Sequence, residues 1–188
     1  MRFASVSLTS ATMFVALTLV ACNSSPNQSA VSSSMPTIHD AKAPLPSDQF
    51  KVRMVLQGSP VISVDGKFIV VTVDLSNDGS AILETKGINP INLGAHSINA
   101  DGSLVNNDLA RGALPAPIAP NSHAFVSINL PVDKTIGYSA QILPVQENVG
   151  WFDEWGTKPL VVGPFNVCSA VARNKICDAS GKALLSQQ

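Results

Sequence analysis

Hydrophobic positions along this chain change their spacing twice. A largely apolar run from about Ala11 to Val20 follows a single basic residue, Arg2. It is shorter than the roughly 20 residues that a membrane-spanning helix needs. From Asn23 to about Asp48 the chain is rich in Ser, Pro, Ala, Asn and Gln and has no apolar period. From Phe50 the period becomes two. Phe50, Val52, Met54 and Leu56 alternate with Lys51, Arg53 and Gln57, the pattern of a half-buried strand. Pro60–Val64 and Lys67–Leu75 flank Asp65-Gly66, a two-residue hairpin signal, and Asn77-Asp78-Gly79 reads as the next turn. Ile91–Ile98 is a further strand, closed by a turn at Asp101-Gly102. Pro115, Pro117 and Pro120 make Leu114–Asn121 an extended crossing loop. Ala124, Val126, Ile128 and Leu130 alternate again. Ile136, Tyr138, Ala140 and Ile142 follow an Asp133-Lys134 turn, and Leu160–Val162 is a last short strand. Pro144 is expected to break or bulge its strand.

Many short strands with little helix predict an all-β fold, an antiparallel Ig-like β-sandwich over residues 49–166. Tyr138 reads either as a tyrosine corner or as an ordinary core aromatic. Residues 167–188 form a C-terminal tail that carries a Cys pair and has room for one short helix.

The start of the chain supplies an address. Leu19-Val20-Ala21-Cys22 closes the apolar run and a polar stretch, Asn23-Ser24-Ser25-Pro26, follows. This reads as a lipoprotein signal peptide over residues 1–21, with lipidation at Cys22 and a flexible tether over residues 22–48. Two or more acyl chains anchor stably, at about 0.8 kcal/mol per buried methylene. Asn23 stands where an Asp tends to retain lipoproteins in the inner membrane of Gram-negative cells. The expected place is therefore the outer membrane, on the periplasmic side. A tether of about 26 residues has an r.m.s. span of roughly 25–30 Å.

Composition narrows the chemistry. Removal of 21 residues from 188 leaves a mature chain of 167, enough for one domain. A net charge of −1 and a charged content of 13% leave no basic face for nucleic acid. Cys168 and Cys177 remain after lipidation, and in an oxidising envelope they are expected to form a disulfide. His39, His96 and His123 are not spaced as metal ligands, and all three are expected at the surface. No cofactor motif, phosphate loop or nucleophile elbow is present. Asp153 and Glu154 are neighbouring carboxylates, read as a solvated turn rather than a hydrolytic pair.

Trp151, Phe152 and Trp155 are the densest aromatic cluster. Trp151 and Phe152 are expected to plug one end of the sandwich. Trp151 and Trp155 are also the candidate ligand-binding residues, since exposed indoles stack on sugar rings. Asn89-Pro90-Ile91-Asn92-Leu93-Gly94, Asp101-Gly102, Arg111, Leu114-Pro115, Ile118-Ala119-Pro120 and Val145-Gln146-Glu147-Asn148-Val149-Gly150-Trp151-Phe152 occur in this order. The series resembles small Ig-like accessory modules of bacterial cell-surface glycan machinery, over roughly residues 50–165. That resemblance implies a domain without catalysis, with glycan recognition in some members, and it singles out Arg111, for which Glu147 is a structural ion-pair candidate. The expected function is a membrane-tethered binding or structural accessory, whose partner is an envelope protein or glycan. The alternative is a dedicated carbohydrate-binding module, and a hydrolase is the third reading.

Overall fold

The computed structural model describes Pro46, Gln49 and residues 51–168 and 175–187. The signal peptide, Cys22, His39, Phe50 and the tether other than Pro46 lie outside the described residues.

Two antiparallel sheets pack into an all-β sandwich. In the first sheet, β6 (Ser122–Pro131) pairs with one edge of β3 (Phe68–Asn77). The other edge of β3 carries β1 (Val52–Leu56) and β2 (Val61–Ile62) in line. A parallel strand, β12 (Leu185–Ser186), lies outside β2. The second sheet runs β5 (Leu104–Ala113), β4 (Ile91–Ile98) and β7 (Ser139–Gln146). The far edge of β7 carries β8 (Gly150–Trp151) and β9 (Leu160–Val162). A single helical turn, α1 (Val132–Thr135), leads from β6 towards β7.

The period-two pattern creates the core. Ile69, Val71, Val73 and Leu75 of β3 point inward with no exposed surface, and Val126, Ile128 and Leu130 join them from β6. Ile91, Leu93 and Ala95 of β4, with Ala140 and Ile142 of β7, face them from the second sheet. Phe152 and Phe165 fill the remaining volume and are fully buried. Full burial of one such side chain contributes about 1.5–3 kcal/mol. Asn77 is the buried polar tie. Its Nδ2 donates to the carbonyls of Ala81 and Ile118, both at 2.8 Å, and its Oδ1 accepts from the Gly79 amide at 3.1 Å. It thereby fixes the turn after β3 to the proline-rich crossing loop.

Three surface loops share one closing device. Asp65 accepts from the Ser63 hydroxyl and the Lys67 amide, Asp101 from the Ser103 hydroxyl and amide, and Asp178 from the Ser180 hydroxyl and the Ser180 and Lys182 amides. These bonds favour the ionised carboxylate, and the serine hydroxyl is the largest influence in each case. All three carboxyls are held below their ordinary pKa of 3.8. The hairpin at Asp65-Gly66 is longer than the two-residue loop expected. Ser63 N–H bonds to Phe68 O, so four residues lie between the last paired positions. Gly66 takes φ +72°, which a side chain would resist, and the Asp65 carboxylate satisfies the Lys67 amide inside the wider loop.

Two further expectations need correction. Pro144 neither breaks nor bulges β7, which keeps an unshifted register with β4 from Ile91↔Gln146 to Ile98↔Ser139. On the other edge of β7, β9 stops at Ile142 and β8 starts at Val145, so no strand there asks Pro144 for an N–H. The tail is extended rather than helical where it is described: β10 (Asn166–Val167) pairs with β11 (Ile176–Cys177), and β12 joins the first sheet. Tyr138 is half-buried before β7, and its hydroxyl makes no hydrogen bond among the described residues, so it forms no corner there.

Candidate functional site

The outer face of the second sheet gathers its polar chemistry around one indole. Gly94, at the middle of β4, sits opposite Arg111 of β5. A Cβ on Gly94 would stand 2.4 and 2.6 Å from Cζ3 and Cη2 of Trp151. The missing side chain is therefore what lets the Trp151 ring lie on the sheet. The ring reaches this position from β8, across β7, where Trp151 is registered with Val145. The Arg111 guanidinium lies 4.5 Å from the Trp151 ring centroid, within reach of a cation–π attraction of about 0.5–1 kcal/mol. His96, two residues along the same face of β4, meets the indole with ring centroids 3.8 Å apart and planes tilted by 43°.

Arg111 is held by two carboxylates. Its Nε donates to Glu147 Oε1 at 3.0 Å, and its Nη1 pairs with Asp108 Oδ1. Asn92 Nδ2 donates to the same Glu147 oxygen at 2.8 Å. The Arg111 and Glu147 side chains are each 30% exposed, so solvent screens the pair and its net contribution is at most about 1 kcal/mol. What the pair sets is orientation: β4 supplies Asn92, β5 supplies Arg111 and Asp108, and Glu147 follows directly on β7. The expected structural ion pair between Arg111 and Glu147 is present.

Histidine placement differs from expectation at one position. His96 is buried, not at the surface, and its Nδ1 donates to the Asn107 carbonyl at 2.6 Å. The Trp151 ring is what covers it. His123 is exposed and pairs with Asp74 at 2.7 Å on the outer face of the first sheet, next to the exposed Phe125.

Trp151 and Trp155 occupy different settings. Trp151 is half-buried on the outer sheet face, whereas Trp155 packs against the inter-sheet core with its ring 5.2 Å from Phe152. Phe152 is in the core as expected. Asp153 and Glu154 are exposed in the single 3-10 turn Phe152–Trp155, where Asp153 Oδ1 accepts from the Glu154 amide, the arrangement of a solvated turn. Cys168 and Cys177 form the expected disulfide. Among the described residues no group of three or more His, Cys, Asp or Glu is placed to hold a metal ion. No known family, curated protein or solved structure matches this chain. The site is therefore defined by its own geometry: a fixed cation, two carboxylates and a clamped indole.

Sequence reading missed Gly94, His96, Asn92 and Asp108 as members of this cluster. One signal was available for Gly94. A glycine inside the apolar run Ile91–Ile98, at an outward position, marks a place where something lies against the backbone.

Proposed function

We propose that this protein is a non-catalytic accessory domain of the bacterial envelope, lipid-anchored at Cys22 to the outer membrane and facing the periplasm. Its task is to hold a partner, an envelope protein or glycan, close to the membrane. The observation that carries the non-catalytic part is the way Arg111 is held in place. The guanidinium is engaged by Glu147, Asp108 and the Trp151 ring, so the cluster positions groups rather than activating one. The anchor rests on Leu19-Val20-Ala21-Cys22 and the polar residues after it. Confinement by an anchor raises the effective concentration of a weakly binding domain near its partner, to the millimolar range for short linkers.

A second reading is favoured by the same face. Arg111 Nη2 and Glu147 Oε2 make no hydrogen bond among the described residues, leaving a donor and an acceptor beside a half-buried indole. Hydroxyl pairs of a sugar suit such a surface, which makes this a carbohydrate-binding module at Trp151.

Metabolic labelling with palmitate tests the anchor, and label that survives Cys22→Ala removes it from the proposal. Pull-downs with residues 23–188 against solubilised envelope, peptidoglycan and lipopolysaccharide separate the two partners. Glycan retention lost in Trp151→Ala supports the module. A specific protein band unaffected by Trp151→Ala supports the assembly role. Turnover of an envelope glycan by the purified chain overturns both.

A further inference from the structure

We propose that the Cys168–Cys177 disulfide is a redox-sensitive strap that holds the C-terminal tail over the edge of β2. This inference is independent of the partner discussed above.

The tail is tied to the sandwich at its two ends and to itself between them. Phe165, fully buried and bridged to Ile136, fixes its start. The disulfide then joins β10 to β11 across a separation of 9 residues. Beyond it, the Leu184 amide donates to Ile176 O at 2.8 Å, Cys177 bridges Ala183, and the Gln187 amide donates to Ile62 O at 2.7 Å. β11 is thus the middle link. Whatever fixes β11 to β10 also fixes the strand that covers β2.

Apart from the crosslink, little holds this arrangement. Among the described residues after Phe165, only the two cysteines fall in the buried class. Ile176 and Leu184 are half-buried against the core, and Leu185 is 71% exposed. Each tail strand is two residues long. Segments with so few buried contacts open first. Chain-entropy reasoning for a loop of this size gives the crosslink a roughly 100-fold effect on the opening equilibrium.

The chemistry of opening is thiol–disulfide exchange with a dithiol. A reductant thiolate bonds to the sulfur of Cys168, the more exposed of the pair at 9% against 5%, and the Cys177 thiolate leaves. The second reductant thiolate attacks the mixed disulfide and releases Cys168. The reductant finishes as its own disulfide, and two electrons and two protons reside on the cysteines. With the strap open, β2 loses its β12 partner and the Ile62 carbonyl loses the Gln187 amide.

The test is hydrogen–deuterium exchange on the full chain in detergent, oxidised, under dithiothreitol, and as Cys168→Ala/Cys177→Ala. Opening predicts that the Leu184 and Gln187 amides exchange roughly 100-fold faster in both reduced forms. β3 and β6 should keep their protection, and re-oxidation should restore the tail. Unchanged tail exchange overturns the proposal, because the tail would then be held by its own contacts. Exchange of β3 and β6 rising in step with the tail also overturns it, since the bond would be a staple of the whole fold. The dithiothreitol arm starts from folded protein, so the result stands even if the double variant folds poorly.

Discussion

Replacing Gly94 with alanine isolates the force that places Trp151. The new Cβ would lie 2.4 and 2.6 Å from ring carbons and 3.3 Å from Arg111 Nη1, where ordinary contacts fall between 3.4 and 4 Å. The indole must move by about 1 Å, and overpacking of this kind typically costs about 1–3 kcal/mol. Against it stands the gain from replacing glycine in a strand, about 0.5–1 kcal/mol. Gly94 is not among the residues with positive φ, so the backbone itself accepts alanine. The net expectation is a loss of about 1–2 kcal/mol. In a Trp151→Ala background the clash disappears and only the strand gain remains. There the same substitution should stabilise by about 0.5–1 kcal/mol. The sign therefore inverts, and the coupling energy is about 2 kcal/mol, above the roughly 0.5 kcal/mol scatter of independent sites. Urea unfolding followed by far-ultraviolet circular dichroism measures all four members of the cycle without relying on indole fluorescence. Equal effects of Gly94→Ala in both backgrounds would refute the argument that the missing side chain exists to seat the ring.

Other outcomes follow from the polar groups. Asn77→Ala removes two donors to the Ala81 and Ile118 carbonyls and the acceptor for Gly79, and should cost about 2–3 kcal/mol by urea titration. Ser97 Oγ is buried beside the irregular pairing of β4 and β5 and has no hydrogen-bond partner among the described residues. Ser97→Ala should therefore raise stability by about 1 kcal/mol, and a lower urea midpoint would mean that the hydroxyl is satisfied in solution. Asp65, Asp101 and Asp178 have folded-state pKa values below the ordinary 3.8, so the folded form binds fewer protons in acid than the unfolded form. Their stabilisation is complete above the unfolded value and fades as pH falls through the folded values. Asp178→Asn should flatten the acid limb of a stability–pH curve, and an unchanged slope would show that its loop bonds do not survive in solution.

Legibility from sequence varied with the range of the interactions. The strands with clean alternation, β3 and β6, and the run Ile91–Ile98 are where the apolar pattern placed them, because a one-residue slip would turn every inward side chain to solvent. Pro144 misled because its tolerance depends on a gap between β8 and β9, two strands that come later in the chain. His96 misled for a similar reason. Its cover is an indole 55 residues further along, and a period-two reading sees an outward position without seeing what crosses it. Arg111 and Glu147 are candidates for an ion pair from the sequence, yet Asp108 and Asn92 complete the network only because β5 and β4 are registered beside each other. The tail reads as room for a short helix and is extended where it is described, since two-residue strands leave almost no period to read.

The position of β1 has a mechanical consequence. The chain enters the sandwich at Lys51, whose carbonyl accepts from the Asp78 amide at 2.8 Å, and then runs antiparallel to β3 from Val52↔Asn77 to Leu56↔Val73. A force applied to the preceding segment and opposed at the far end of β3 pulls β1 along its own axis. The five registered pairs are then loaded in shear and share the tension, instead of opening one after another like a zipper. A single-molecule pull from the N-terminal side should meet high resistance at β1. The same force directed across the strands, through β12 with its two registered pairs, should yield far earlier.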